Sequence, residues 1–182
     1  MKIGFLDIFL FLIIFLHCYG PNQTDYTYPD TIAEPDVIAE SHGCGNIYVY
    51  QPIDSLRLLT VFLDGRNLEL TERCHNINLC QDNPNVRVVL EVAGNSPDSI
   101  YFHHCDDAVP MNLGKPKKYA SISGSLSYSV SENYPIIDRV WKSSYYVTIK
   151  IENLQLFNHE ENLPIVFDQI IFWNVRVGWL PG

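Results

Sequence analysis

The densest run of reactive side chains is His103-His104-Cys105-Asp106-Asp107, five potential metal ligands or proton carriers in a row. Consecutive residues on a strand face opposite ways, so His103 and His104 do not grip one ion together without a bulge. A metal site built here uses His104 and Asp106, which share a face. The spacings of dedicated zinc sites, Cys-x2-Cys and His-Glu-x2-His, do not occur in the chain. His159-Glu160-Glu161 begins like the second of these but lacks its closing histidine. The chain has neither a Gly-x-Ser-x-Gly nucleophile elbow nor a glycine loop for phosphate. The paired acids Asp106-Asp107 and Glu160-Glu161 are sequence neighbours, so on strands they point apart and solvate loops. These residues predict neither a cofactor nor catalysis, and favour binding.

Five cysteines are present, and the first, Cys18, falls in a segment with the pattern of an export signal. Lys2 is followed by an apolar run, Ile8–Leu16, and a small residue, Gly20. Nine apolar residues are too few to span a bilayer and fit a secretory signal peptide over residues 1–20. Cys44, Cys74, Cys80 and Cys105 then remain, an even count that in a secreted chain predicts two disulfides. The expected pairs are Cys74–Cys80, closing a small loop, and Cys44–Cys105, closing one of some sixty residues worth roughly 4 kcal/mol by loop-closure entropy. Cys44–Cys74 with Cys80–Cys105 is the alternative. No later stretch is long and apolar enough to anchor the chain in a membrane, and a secreted, extracellular protein is expected.

Residues 21–43 carry Asp25, Asp30, Glu34, Asp36 and Glu40, no Lys or Arg, and three prolines. Such a stretch buries too little apolar surface to offset its ordering entropy and is expected to be a flexible acidic arm. Asn22-Gln23-Thr24 is a glycosylation sequon within it.

From residue 44 to 182 the hydrophobic period is two. Val86, Val88, Leu90 and Val92 alternate with Arg87, Val89, Glu91 and Ala93, while Ile122, Leu126, Tyr128 and Val130 alternate with serines, Gly124 lying on the apolar side. Leu56–Leu63 and Ile170–Leu180 are apolar on both faces over part of their length, which predicts central strands. Asp64-Gly65 suits a tight hairpin turn into Leu68–Leu70. About eight to ten short strands with frequent turns predict an all-β, antiparallel sandwich, immunoglobulin-like or lipid-recognition-like.

With 47% hydrophobic and 18% charged residues the chain is globular, and a net charge of -9 argues against nucleic acid as its partner. Of that charge, -5 belongs to the arm. The one basic cluster is Lys115, Lys117 and Lys118. It and the aromatics Tyr134, Trp141, Trp173 and Trp179 are the candidate ligand contacts.

Some features resemble the lipid-recognition β-sandwich family of the Niemann-Pick type C sterol carrier and the mite group-two allergens. They are Cys44-Gly45 at the start of the core, five residues between Cys74 and Cys80, the strand Val86–Ala93 directly after, Tyr134-Pro135 ahead of Trp141, and an apolar final strand. The resemblance implies a lipid held between two sheets. The chain departs from the family in having no cysteine after Cys105 and a long interval from Cys44 to Cys74. The expected function is non-catalytic recognition of an extracellular protein or glycan, with carriage of a lipid or other apolar small molecule as the alternative.

Overall fold

A computed structural model describes residues 39–79, 83–94, 114–131, 144–162 and 164–178, with positions 32, 33, 35, 100, 102, 104 and 105. The expected signal peptide, Asn22, most of the acidic arm, Cys80, Asp106, Tyr134, Trp141 and Trp179 lie outside the described residues. The described part of the chain is all-β. Its strands are β1 His42–Cys44, β2 Tyr48–Asp54, β3 Arg57–Leu63, β4 His75–Asn78, β5 Val86–Val92, β6 Lys117–Val130, β7 Tyr145–Phe157 and β8 Pro164–Val177. The first begins inside the segment expected to be arm.

All pairings are antiparallel and join the strands into one sheet in the order β1-β2-β3-β5-β6-β7-β8. Along one edge of β6, residues Lys117–Ala120 pair with β5 and Ser125–Tyr128 pair with β4. The sheet therefore curls into a half-barrel, where two separately stacked sheets were expected. The curl brings the end of β8 against β1 and β2, and Gly178 N–H donates to Gly45 C=O at 2.6 Å. A β-carbon on Gly43 would stand 2.8 Å from Val177 and 2.9 Å from Val175, so this contact requires glycine.

The curl has a local cause. Gly124 has φ +134° and opposes Asn153 at φ +52°, at a place where the β6–β7 register shifts twice. Asn174 at φ +51° marks a shift between β7 and β8. Bulges of this kind bend a strand and change which side chains face in. Tyr119 faces the core before the bulge, and Leu126, Tyr128 and Val130 face it after; Ile122 instead faces the opposite surface. The expected single apolar face from Ile122 to Val130 is thus divided at Gly124. β8 reads as apolar on both faces for the same reason: Ile170 and Phe172 face in on one side of Asn174, and Val175 and Val177 on the other. In hydrogen-bonding order β8 is an end strand, whereas β3 is central as predicted, with Leu59, Val61 and Leu63 on one face and Leu58 buried on the other.

The concave side is closed by apolar packing. Phe172, Ile149, Ile151, Leu126, Leu154 and Leu156 are fully buried in one cluster. Buried phenols keep polar partners: Tyr128 donates to Glu69 C=O at 2.9 Å and Tyr145 to Asn46 C=O at 2.5 Å. The Asp64-Gly65 hairpin does not form. Asp64 instead accepts from Arg66 N–H at 3.2 Å and its own carbonyl from Asn67 N–H at 3.0 Å, and Leu68 and Leu70 pack on the core outside any strand. No helix among the described residues is long and apolar enough to cross a membrane.

Candidate functional site

The convex face of β2, β3, β5 and β6 carries the polar chemistry. Its side chains align in cross-strand rows fixed by register. Tyr48, Phe62 and Arg87 form one row; Tyr50, Thr60, Val89 and Ala120 a second; Leu58, Glu91 and Lys118 a third. Directly opposed side chains interact across a sheet. The Arg87 guanidinium accordingly lies over the Phe62 ring, 5.6 Å from its centroid, and Lys118 Nζ meets Glu91 Oε1 at 2.9 Å.

Part of this face is covered by the segment that carries Ile100, Phe102, His104 and Cys105. Ile100 and Cys105 pack with Tyr50, Leu58 and Cys44 in a small second apolar cluster. The expected Cys44–Cys105 disulfide is formed, with its Cα atoms 5.8 Å apart, and it ties this segment to β1. In this structure Cys74 is a thiol, its pKa pushed up chiefly by burial, so the Cys74–Cys80 pair is not formed here and stays a proposal; Cys80 lies outside the described residues.

The tether sets His104 over the sheet. Its ring lies 5.8 Å from that of Tyr48 and 5.5 Å from that of Tyr50. Nδ1 is 3.1 Å from the Tyr48 hydroxyl, and Nε2 is 3.7 Å from Glu91 Oε2. Tyr48, His104, Glu91 and Lys118 thus form a chain of alternating polar groups. Burial lowers the His104 pKa, opposed in part by Glu91. Burial above all, then Glu91, drives the Tyr48 phenol well above its usual range. The arrangement suits positioning and hydrogen bonding. Of the two residues named as the place to look for a metal, His104 and Asp106, only His104 is described, and no group of three or more metal-ligating side chains occurs among the described residues.

Beside His104 the face opens into a groove of about 940 Å³. Phe62, Val89, Ala120, Ile122 and Phe157 supply its apolar lining. Lys115, Lys117, Lys118 and Arg87 supply its cations, and Glu91 and Glu160 its carboxylates. The three lysines singled out in the sequence are therefore brought together on one rim. Lys117 is paired with Glu161, which also accepts from the Tyr119 hydroxyl. Asn158 holds the facing turn: its side-chain amide donates to Lys118 C=O at 3.0 Å, and its Oδ1 accepts from Glu160 N–H at 2.7 Å. Trp173 is half-buried on β8 and does not line the groove.

Sequence reasoning did not find Tyr48, Phe62, Arg87, Glu91 or Phe157 as a group. The signal available was the polar alternation of Arg87 and Glu91 in β5. The pairing of β3 with β5, which places Phe62 beside Arg87, has no sequence signal. Comparison with protein-family models, with curated proteins and with solved structures finds no match to this chain.

Proposed function

We propose that this is a secreted, non-catalytic binding protein that recognises an extracellular protein or glycan in the convex groove. The observation that carries the reading is the groove itself: about 940 Å³, with an apolar lining, a basic rim and a tethered histidine at its side. Ligand sites commonly have this size and this mixture of apolar surface with a few convergent polar groups. The Cys44–Cys105 bridge supports an oxidising compartment, and pairing of Cys74 with Cys80 and a glycan on Asn22 belong to the same reading. Non-reducing peptide mapping of secreted material tests both.

One observation favours the second reading, a carrier of a lipid or other apolar small molecule. The apolar side chains of the groove offer such a ligand a surface, whereas the concave interior is filled by fully buried side chains. The lipid-recognition resemblance belongs with this reading. Native mass spectrometry of protein from its natural source decides between the two. A co-purified lipid whose retention requires Phe62 and Ile122 establishes the carrier. An empty protein that captures an extracellular protein or glycan through the groove establishes the first reading.

A further inference from the structure

Charge is distributed unevenly over this molecule. The whole chain is at -9, with 12 Lys and Arg against 21 Asp and Glu. The groove reverses that balance, with four cations against two carboxylates in its lining. Two of the cations are already satisfied within the fold, Lys118 by Glu91 and Lys117 by Glu161. Among the described residues, no carboxylate lies within ion-pair distance of Arg87 or Lys115. The Arg87 guanidinium carbon lies over the Phe62 ring, 5.6 Å from its centroid. A guanidinium carries forked N–H donors that match a carboxylate or sulfate.

We propose that the groove binds an anionic sugar chain, whose carboxylate or sulfate groups sit on Arg87 and Lys115 while its ring faces pack on the apolar lining. The proposal rests on the reading of the protein as a binding protein and names the class of its ligand. The shape favours this class. An acyl chain needs most of its surface enclosed, and this groove is open to solvent along one side with Thr60 and Glu91 among its apolar side chains. A sugar chain stays largely hydrated, offers apolar ring faces at intervals, and tolerates polar groups between them. The negative charge of the rest of the molecule then confines such a ligand to the groove.

The test is calorimetric titration of the secreted, disulfide-bonded chain with a short heparin oligosaccharide, a neutral dextran oligosaccharide and oleate. The heparin fragment is expected to bind and the dextran not, with affinity falling as salt rises. The double variant Arg87→Gln/Lys115→Gln is expected to weaken heparin binding about tenfold or more, about 1.4 kcal/mol for each factor of ten. Arg176→Gln is expected to leave it unchanged, since that exposed cation on β8 lies outside the groove. Lys115→Gln alone is also exposed, and it keeps the test valid if the double variant folds poorly. Equal binding of dextran, or equal loss from Arg176→Gln, overturns the proposal. Oleate binding that depends on Phe62 and Ile122, without heparin binding, also overturns it but leaves the protein a binder. If no probe binds and the natural protein is empty with no captured partner, the binding reading falls as well.

Discussion

The two faces of one strand differ more than any two strands do. On β5, Val86, Val88 and Leu90 enter a cluster in which nearly every side chain is apolar and fully buried. On the other face Arg87, Val89 and Glu91 meet a tyrosine, a histidine, a lysine and solvent. The concave face is held by burial, which is non-directional and roughly proportional to area. The convex face is held by a disulfide, the small apolar cluster around Leu58 and Ile100, a cation near a ring and a few oriented polar contacts. The large apolar cluster therefore lies on one face and the polar groove, where recognition is proposed, on the other.

The comparison breaks most sharply if a core residue proves dispensable. Phe172 is fully buried, so Phe172→Ala should cost about 3–5 kcal/mol in urea unfolding. Phe62→Ala, half-buried at the groove, should cost clearly less. Equal losses would mean that the convex face is core as well. Next in size is the tether. The Cys44–Cys105 loop spans 61 residues, and Cys44→Ser/Cys105→Ser should lose about 2–4 kcal/mol by unfolding in the absence of reductant. The same change should free His104 from Tyr48, seen as altered exchange at the His104 ring by NMR. The third test concerns the curl. An alanine at position 124 must adopt φ +134° with its Cβ 3.1 Å from Leu154 Cα and 3.2 Å from two backbone carbonyls. Gly124→Ala should therefore cost about 1–3 kcal/mol. It should also disturb both faces, because this bend separates Ile122 from Leu126.

Legibility in the sequence follows the same division. Period-two alternation is a local property, so all-β structure, the strands of Val86–Val92 and Tyr145–Ile151, and the centrality of β3 can be read residue by residue. Cys44–Cys105 is readable because, once an export signal is read at the N-terminus, the remaining cysteines are expected to pair and four of them allow only three pairings. The lysine rim was readable as composition. A face switch at a bulge was not, because a single Gly124 or Asn153 within an alternating stretch looks like a tolerated exception. Two sheets were expected because strand count alone does not distinguish a sandwich from one sheet that curls. The Asp64-Gly65 turn failed for a different reason: the Asp64 side chain caps a wider turn, and β5 rather than Leu68–Leu70 takes the edge of β3. The groove was invisible because its residues come from separate strands and meet only through register.

Smaller effects probe the convex network itself. Burial keeps the folded His104 imidazole below its ordinary pKa of about 6.5. The unfolded chain then binds more protons than the folded one below that value, and stability falls as pH drops from above about 6.5 through the folded pKa. His104→Gln should remove this component. Unfolding midpoints at about pH 8 and about pH 5 should fall further apart in the wild type than in the variant. A difference of the opposite sign would mean that the attraction of Glu91 outweighs burial.

The smallest expected effect lies at the far rim, where Glu161 accepts from both Lys117 and the Tyr119 hydroxyl. That hydrogen bond pushes the Tyr119 pKa up to about 12. A raised phenol contributes stability that is present below about pH 10 and is lost as pH rises through the folded value. Glu161→Gln should return the Tyr119 ionisation toward 10. Because the chain holds eleven tyrosines, the signal is read as the difference in ultraviolet absorbance titration between each protein and its Tyr119→Phe counterpart. The same substitution frees Lys117, so a groove that selects anions should bind the heparin fragment more tightly in Glu161→Gln than in the wild type. If the phenol shifts while heparin affinity stays fixed, Lys117 supports the rim without contacting ligand, and recognition narrows to Arg87 and Lys115.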